Sequence, residues 1–250
     1  MRCFVVLLLA LCACEARVSP PTGLGPDSGT PPGDGPGAGT DTGGDGPAAC
    51  SNGRVVFLQF EGQALTDAAT SNAKQNQASW MTIANGTAPP YHQGSGTRAA
   101  DIQAIVDGIT QQLSSFPITV VTTRPTTGDY VMIVYGGQAS NVGSRFSGAV
   151  QELDCGDANR NDVAWVSDGV SPTQRIVNFS VGAIGFGLGL TATSDPNDCM
   201  CGWDNACQSD NSAACNLTEN ITRDPNANQL CAGAGATQSE TTAFDIAFCQ

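Results

Sequence analysis

Apolar residues recur at helical spacing in the segment TRAADIQAIVDGITQQLSSF, which Pro117 follows. The spacing i, i+3, i+4, i+7 and i+11 puts five apolar side chains on one helix face: Ile102, Ile105, Val106, Ile109 and Leu113. A second helix is predicted from Ser171 to about Leu190, because Ser171-Pro172 has the form of an N-cap followed by proline at the first helical position. The segment SETTAFDIAFC predicts a short closing helix over residues 239–249.

Short runs rich in β-branched and aromatic residues predict four strands, one before the first helix and three between the first and second helices. They are RVVFLQFEG (54–62), ITVVTTRP (118–125), DYVMIVYGG (129–137) and DVAWVS (162–167). A turn at residues 126–128 separates the second and third runs, which predicts a hairpin. The order of strand, helix, strands and helix predicts an α/β (α+β) domain with a mixed sheet and two main helices.

The N-terminus, MRCFVVLLLALCAC, has one positive charge, an apolar run and small residues, which is typical of a secretory signal. The ending Leu11-Cys12-Ala13-Cys14 is similar to the bacterial lipobox, which implies a signal peptide over residues 1–13 and a lipidated Cys14. The protein is therefore expected to be exported and lipid-anchored in a bacterial cell envelope, with the outer membrane the favoured location, or extracellular. The alternative is an ordinary cleaved signal in which Cys14 has no special role.

Residues 14–49 are rich in Pro, Gly, Asp and Thr and contain almost no apolar side chains. Such a segment cannot bury enough apolar surface to offset its ordering entropy, so it is predicted to be a disordered linker. A flexible chain of about 35 residues spans roughly 30–35 Å. The folded domain is then expected at residues 50–250.

The formal charge of the chain is -13, from 10 Lys and Arg against 23 Asp and Glu. This balance argues against nucleic acid as a partner and against electrostatic adsorption to anionic lipid. Membrane contact is therefore expected through the lipid anchor only.

Eleven cysteines are present, of which Cys3, Cys12 and Cys14 belong to the signal and lipidation site. An even number in an exported protein predicts a disulfide framework, here of up to four bridges with the pairing left open. A zinc site around Cys199 and Cys201 is the alternative. The remaining eight, six of them in a disulfide-rich tail from about residue 199, are Cys50, Cys155, Cys199, Cys201, Cys207, Cys215, Cys231 and Cys249.

The segment VGAIGFGLGLTATSDPNDCM (181–200) has four glycines within the second predicted helix, although each costs a helix interior about 1 kcal/mol. Its frame resembles the metzincin zinc-protease signature, His-Glu-x-Gly-His-x-x-Gly-Leu-x-His, followed by a turn that holds a methionine. By this resemblance Gly189-Leu190 matches the Gly-Leu pair, Gly185 the inner glycine and Met200 the Met-turn. The segments FLQFEG and NDVAWVS extend the resemblance, to small secreted bacterial metalloproteases of myxobacterial type, over most of residues 54–205.

The resemblance places the zinc-binding histidines at Gly182, Phe186 and Ala192, and the general-base glutamate at Ala183. Zinc catalysis needs three ligands and a carboxylate that accepts a proton, and none of these residues has a donor. The chain has one histidine, His92, outside the motif. The resemblance therefore implies a pseudo-metalloprotease without zinc, in which Phe186 fills the space of the metal. A tightly packed core helix without protease kinship is the alternative.

The expected function is binding of a protein or peptide by this inactive domain. The alternatives are an active secreted hydrolase or metallopeptidase that uses an unrecognised site, and a structural envelope protein. No cofactor is expected. Calcium is a minor alternative at the acidic residues Asp195, Asp198, Asp204 and Asp210, because carboxylates are the ligands that calcium prefers.

Overall fold

The computed structural model describes the backbone of residues 53–249 and side chains as far as residue 245. The predicted signal peptide, the linker, Cys14 and Cys50 lie outside the described residues, as does the side chain of Cys249. The described part is an α+β domain, as predicted. Its helices are α1 (Arg98–Gln112), α2 (Ala139–Val142), α3 (Thr173–Gly187) and α4 (Glu240–Cys249), with a 3-10 turn at Ala73–Gln75.

The strands of the first half are β1 (Arg54–Gln59), β2 (Gln63–Asp67), β3 (Gln77–Ala78), β4 (Asn85–Ala88) and β5 (Ile118–Val121). Those of the second half are β6 (Tyr130–Tyr135), β7 (Ala149–Val150), β8 (Val163–Val166), β9 (Ile221–Thr222) and β10 (Thr237–Gln238).

The main sheet has five strands in the order β5-β1-β6-β8-β7. The first four strands in this order are parallel, and β7 runs antiparallel to β8 at the edge. The central strands YVMIVY and VAWV are buried at every position, as expected for parallel strands that are covered on both faces. Two smaller sheets, β3-β2-β4 and β10-β9, flank the main one.

The predicted hairpin of β5 and β6 is wrong, because β1 lies between these strands. Ile118 of β5 is in register with Arg54, and Tyr130 of β6 is in register with Val55, on opposite sides of β1. Both strands start at the same end of the sheet and run parallel to β1. Residues 122–129 must therefore return the chain to that end, which a turn of a hairpin does not do.

Helices α1 and α3 pack on one face of the main sheet, and the segment around β2 to β4 covers the other face. In α1 the predicted apolar face points to the core, since Ile105 and Ile109 are fully buried. Helix α3 is buried along nearly its whole length from Ile176 to Gly187. The sheet and α1 cover one side of α3, and the chain after Leu188 covers the other.

That C-terminal chain has little regular structure and is held by three disulfides: Cys155–Cys231, Cys199–Cys215 and Cys201–Cys207. The predicted framework is thus confirmed for these six cysteines. Disulfides persist in oxidising compartments, which indicates an extracellular or cell-envelope location. Within residues 53–249, no helix combines the length and the apolar character needed to cross a bilayer.

Candidate binding cleft

Helix α3 ends in a turn that requires Gly189. The amide of Leu190 donates to the carbonyl of Gly185, and the amide of Gly189 donates to the carbonyl of Phe186. Gly189 has φ +81°. These two bonds and the left-handed residue form a Schellman motif, in which glycine avoids the steric cost of a Cβ atom. The turn sends the chain back along α3.

Met200 lies against α3 at Gly185. A Cβ atom added at Gly185 would lie 2.8 Å from Sδ of Met200 and 3.2 Å from Cδ1 of Leu190. Met200 is fully buried, and its amide donates to Oδ1 of Asp198 at 2.8 Å. Gly185 is therefore a site of close packing between the helix and the returning chain.

Gly182 makes room for Trp203. A Cβ atom at Gly182 would overlap Nε1 of Trp203 and would lie 2.5 Å from the carbonyl oxygen of Cys199. The Trp203 ring is also 5.5 Å from the Phe186 ring between centroids. The sequence predicted an apolar plug formed by Phe186; the structure adds Trp203 as the group that faces Gly182.

The other two positions of the motif are also buried in apolar surroundings. Ala183 belongs to the core between α3 and the sheet. Ala192 is fully buried beyond the Gly189 turn, and its carbonyl accepts from the amide of Asp224 at 2.8 Å. Among the described residues, no group of three or more His, Cys, Asp or Glu is placed to hold a metal ion. The lack of zinc stays a prediction that follows from the residue types, and calcium stays a minor alternative.

A cleft of about 800 Å³ opens beside Trp203. One wall is the edge of the main sheet, formed by residues 146–151, and the opposite wall is formed by residues 202–207 and by polar residues between 224 and 229. Helix α3 contributes Arg175, Phe179 and Phe186. The motif position Phe186 therefore lines a surface depression, whereas Gly182 is covered by Trp203.

The edge strand β7 presents backbone groups to this cleft. Ala149 pairs with Val166, and the neighbouring pair is hydrogen-bonded, since the amide of Ser167 donates to the carbonyl of Gly148. Hydrogen-bonded pairs alternate with non-bonded pairs in an antiparallel ladder. The N–H and C=O groups of Ala149 therefore point away from β8, towards the open edge of the sheet.

An aromatic floor runs along one face of α3. Arg175, Phe179, Gly182 and Phe186 follow one another at helical spacing, and Trp203 packs between the two phenylalanines. The Arg175 guanidinium lies 5.0 Å from the Phe179 ring centre, and the rings of Phe179 and Trp203 are 6.4 Å apart. At the rim of the cleft, Phe146 is 52% exposed, which is unusual for so large an apolar side chain. Phe186 and Trp203 are only 2% and 7% exposed, so the apolar surface open to a ligand comes from the half-buried Phe179 and from Phe146 at the rim.

The wall opposite β7 is built from polar turns. Asp204 has φ +60° and accepts hydrogen bonds from the side chain of Asn228 and the amide of Gln229. Asp224 accepts from Asn205 at 2.7 Å. The hydrogen bonds from the amide of Asn226 and from the side chain of Asn205 lower the pKa of the Asp224 carboxyl. Asp204 and Asp224 therefore stabilise this wall through their hydrogen bonds. For Asp204, this favours a structural role over the calcium alternative.

Asp198 and Glu240 form a buried acid pair behind the Met200 turn. Asp198 accepts from Thr193 and from the amide of Met200, and Glu240 accepts from Gln238 and from the amide of Thr218. The two carboxyl groups are hydrogen-bonded to each other. Burial and the adjacent Asp198 charge raise the pKa of Glu240 to about 8. Glu240 therefore holds the proton of the pair and joins α4 to the turn.

His92 does not belong to this cleft. Its ring stacks on Tyr91 at 4.1 Å, and Nδ1 lies 3.0 Å from Oδ2 of Asp101. None of these three residues lines the cleft. The histidine thus cannot complete a zinc site at the motif, in agreement with its distance in sequence.

The cleft draws on residues that the sequence motif did not single out. Trp203 follows Met200 by three positions in the sequence, and this proximity to the Met-turn was a possible signal. It was not enough to predict a site residue, because helical spacing does not describe where side chains in an irregular turn point. Strand β7 is two residues long and gives no periodic pattern. Comparison of the chain with models of known protein families and with curated protein sequences gives no significant match.

Proposed function

We propose that this protein is a pseudo-metalloprotease that binds an extended peptide segment, of a protein or a free peptide, in the cleft between β7 and residues 202–207. The domain is carried on a lipid anchor at Cys14 and displayed on the cell envelope. It binds without cleaving, because no residue at the motif positions supplies a metal ligand or a proton acceptor.

The observation that carries this proposal is the orientation of Ala149. Its N–H and C=O groups point away from β8 to the open edge of the sheet, and Ala149 lines the cleft, so a ligand strand can pair with them and extend the sheet by one strand. Main-chain pairing at a sheet edge supplies affinity in many peptide-binding domains, and adjacent pockets supply specificity. Here the half-buried Phe179 lines the cleft beside that edge, and its ring packs on the nearly buried Trp203, which in turn packs on Phe186.

The packing at Gly182 supports the loss of catalysis. In the resemblance, Gly182 and Phe186 replace two metal ligands one helical turn apart. Trp203 occupies the space in front of Gly182, and its ring packs on Phe186. The same groups that remove the metal chemistry provide the aromatic floor for binding.

The proposal is tested by replacing the outward amide of Ala149. Peptides that bind the full chain are first selected from a displayed library of random decapeptides. The variant Ala149→Pro removes the outward N–H, and proline is tolerated on an edge strand where that N–H faces away from the sheet. The matched control Ala149→Ser keeps the N–H and adds only a hydroxyl group.

We expect Ala149→Pro to bind the selected peptides at least tenfold more weakly than wild type, with an unchanged unfolding midpoint. Ala149→Ser should keep wild-type affinity. Equal binding by all three proteins would contradict the proposed mode. Cleavage of the selected peptides by wild type would instead support the alternative of an active hydrolase.

A further inference from the structure

Gln151 is a buried side chain in the cleft whose polar atoms have no hydrogen-bond partner among the described residues. It is 5% exposed, and it lines the cleft directly after β7. Neither Nε2 nor Oε1 makes a hydrogen bond to any residue in the described part of the chain. A buried amide without partners costs free energy, so a native protein keeps one where something satisfies it.

The direction of the side chain follows from the alternation along the edge strand. Ala149 packs against the cluster on the helix side of the sheet, and Val150 packs on the other side. Gln151 therefore faces the same side as Ala149. In agreement, a Cβ atom added at Gly187 of α3 would lie 3.2 Å from Nε2 of Gln151.

This placement determines which part of a ligand Gln151 meets. If a peptide strand pairs with Ala149, the ligand residue two positions along lies opposite Gln151. Side chains that are directly opposite in a sheet share a face, with Cβ atoms about 4.5–5.5 Å apart. The ligand side chain at that position thus points to the amide of Gln151.

We propose that Gln151 selects a peptide that carries an Asn or Gln side chain two residues from the position paired with Ala149. The inference rests on the proposed function, because it requires a strand along β7. One carboxamide offers a donor and an acceptor that match the free acceptor and donor of another, so the pair makes two hydrogen bonds. The ligand residue at the Ala149 position is large and apolar, since the Ala149 side chain is small and the half-buried Phe179 lines the cleft next to Gly148.

Charged side chains fit this position less well. A carboxylate has acceptors only, which leaves Oε1 of Gln151 without a donor. It would also place a charge beside the buried Asp162, whose Oδ2 atom would lie 2.7 Å from the same added Cβ atom at Gly187 and whose carboxyl group burial already keeps in the neutral form, since its pKa is raised to about 8. An ammonium group has donors only, which leaves Nε2 of Gln151 without an acceptor.

The test uses four capped peptides and the full chain. Acetyl-Ala-Gln-Ala-Phe-Ala-amide and its reversed order, acetyl-Ala-Phe-Ala-Gln-Ala-amide, cover both strand directions. In their partners Ala replaces Gln. Dissociation constants are measured by calorimetry for wild type, for Gln151→Leu, which keeps the side-chain volume, and for the matched control Gln111→Leu on the exposed side of α1.

We expect one Gln peptide to bind wild type and Gln111→Leu about tenfold more tightly than its Ala partner, since two matched hydrogen bonds are gained. The difference should vanish in Gln151→Leu. If Gln and Ala peptides bind wild type equally, the role of Gln151 is refuted while peptide binding stands. If no peptide binds wild type, and the decapeptide selection also fails, the proposed function itself is refuted.

Discussion

Gly182→Ala separates two physical effects of opposite sign. Alanine has the higher helix propensity, so the change should stabilise the helix interior by about 1 kcal/mol if only the backbone matters. The structure predicts the opposite, because the added Cβ atom meets Trp203 and lies 2.5 Å from the carbonyl oxygen of Cys199. Real Cβ atoms essentially never come closer than 3.0 Å to such atoms.

The size of the destabilisation by Gly182→Ala depends on which groups have to move to make room for the added Cβ atom. The Cys199 backbone is held by the disulfide to Cys215 and by its amide, which donates to the carbonyl of Asn216. The strain must therefore be relieved mainly by Trp203. Overpacking typically costs about 1–3 kcal/mol, and complete loss of a buried tryptophan side chain about 3–5 kcal/mol. After subtraction of the propensity gain, we expect Gly182→Ala to lower the free energy of unfolding by about 2 kcal/mol.

The assay is equilibrium unfolding in guanidinium chloride with the disulfides intact, followed by circular dichroism. For a domain of this size, 2 kcal/mol corresponds to a melting temperature about 4–8 °C lower. Gly96→Ala is the matched control, since nothing lies within 4 Å of its added Cβ atom. In a Trp203→Ala background the cost of Gly182→Ala should shrink by at least about 1 kcal/mol, because contacting residues are not additive. A Gly182→Ala variant that is more stable than wild type would refute the packing of Trp203 on Gly182.

Three further predictions concern other parts of the molecule. First, burial raises the pKa values of Glu240 and Asp162 to about 8. The folded state then binds more protons than the unfolded state between about pH 4.5 and pH 8, so the free energy of unfolding should fall as the pH rises through this window. Asp198→Asn keeps an acceptor oxygen for Thr193 and the Met200 amide, and its side-chain amide can donate to Glu240. The variant should therefore flatten the pH dependence of the free energy of unfolding, measured by urea titrations from pH 5 to pH 9. An unchanged slope would count against the acid pair. Second, the double variant Cys201→Ser with Cys207→Ser opens the loop that carries Trp203. It should cost about 2 kcal/mol and weaken binding of the selected peptides, whereas retained stability and binding would show that the loop is held without the disulfide. Third, mass spectrometry of the mature protein should find a diacylated Cys14, and Cys14→Ser should abolish membrane association; a mature start elsewhere without lipid would contradict the anchor.

The local pattern was sufficient for the elements that bury a regular face. Ile105 and Ile109 predicted α1 because helical spacing brings apolar residues onto one side, and β6 and β8 were evident as apolar runs. Which strands pair with each other was not evident from the sequence. A short turn after residues 118–125 fits a hairpin and a return to the parallel sheet equally well. Strand pairing depends on contacts distant in sequence, which local periodicity does not contain.

In the candidate site too, some residues were found from the sequence and others were missed. The resemblance placed Gly185, Gly189 and Met200 in one motif, and in the structure these residues form the turn at the end of α3 and the contact of that helix with the returning chain. Trp203 and Gln151 were missed, since their importance comes from what lies opposite them in space. A tryptophan in an Asp- and Asn-rich turn has no periodic partner, and an unsatisfied amide exists only in three dimensions.

One measurement tests the central claim, peptide binding without cleavage, most directly. The purified full chain is incubated with a random decapeptide mixture, with and without added zinc or a metal chelator, and bound and free peptides are identified by mass spectrometry. The account predicts that a subset of intact peptides is enriched on the protein equally under all conditions, and that no new peptide termini appear. New termini that form with zinc and disappear with the chelator would contradict it.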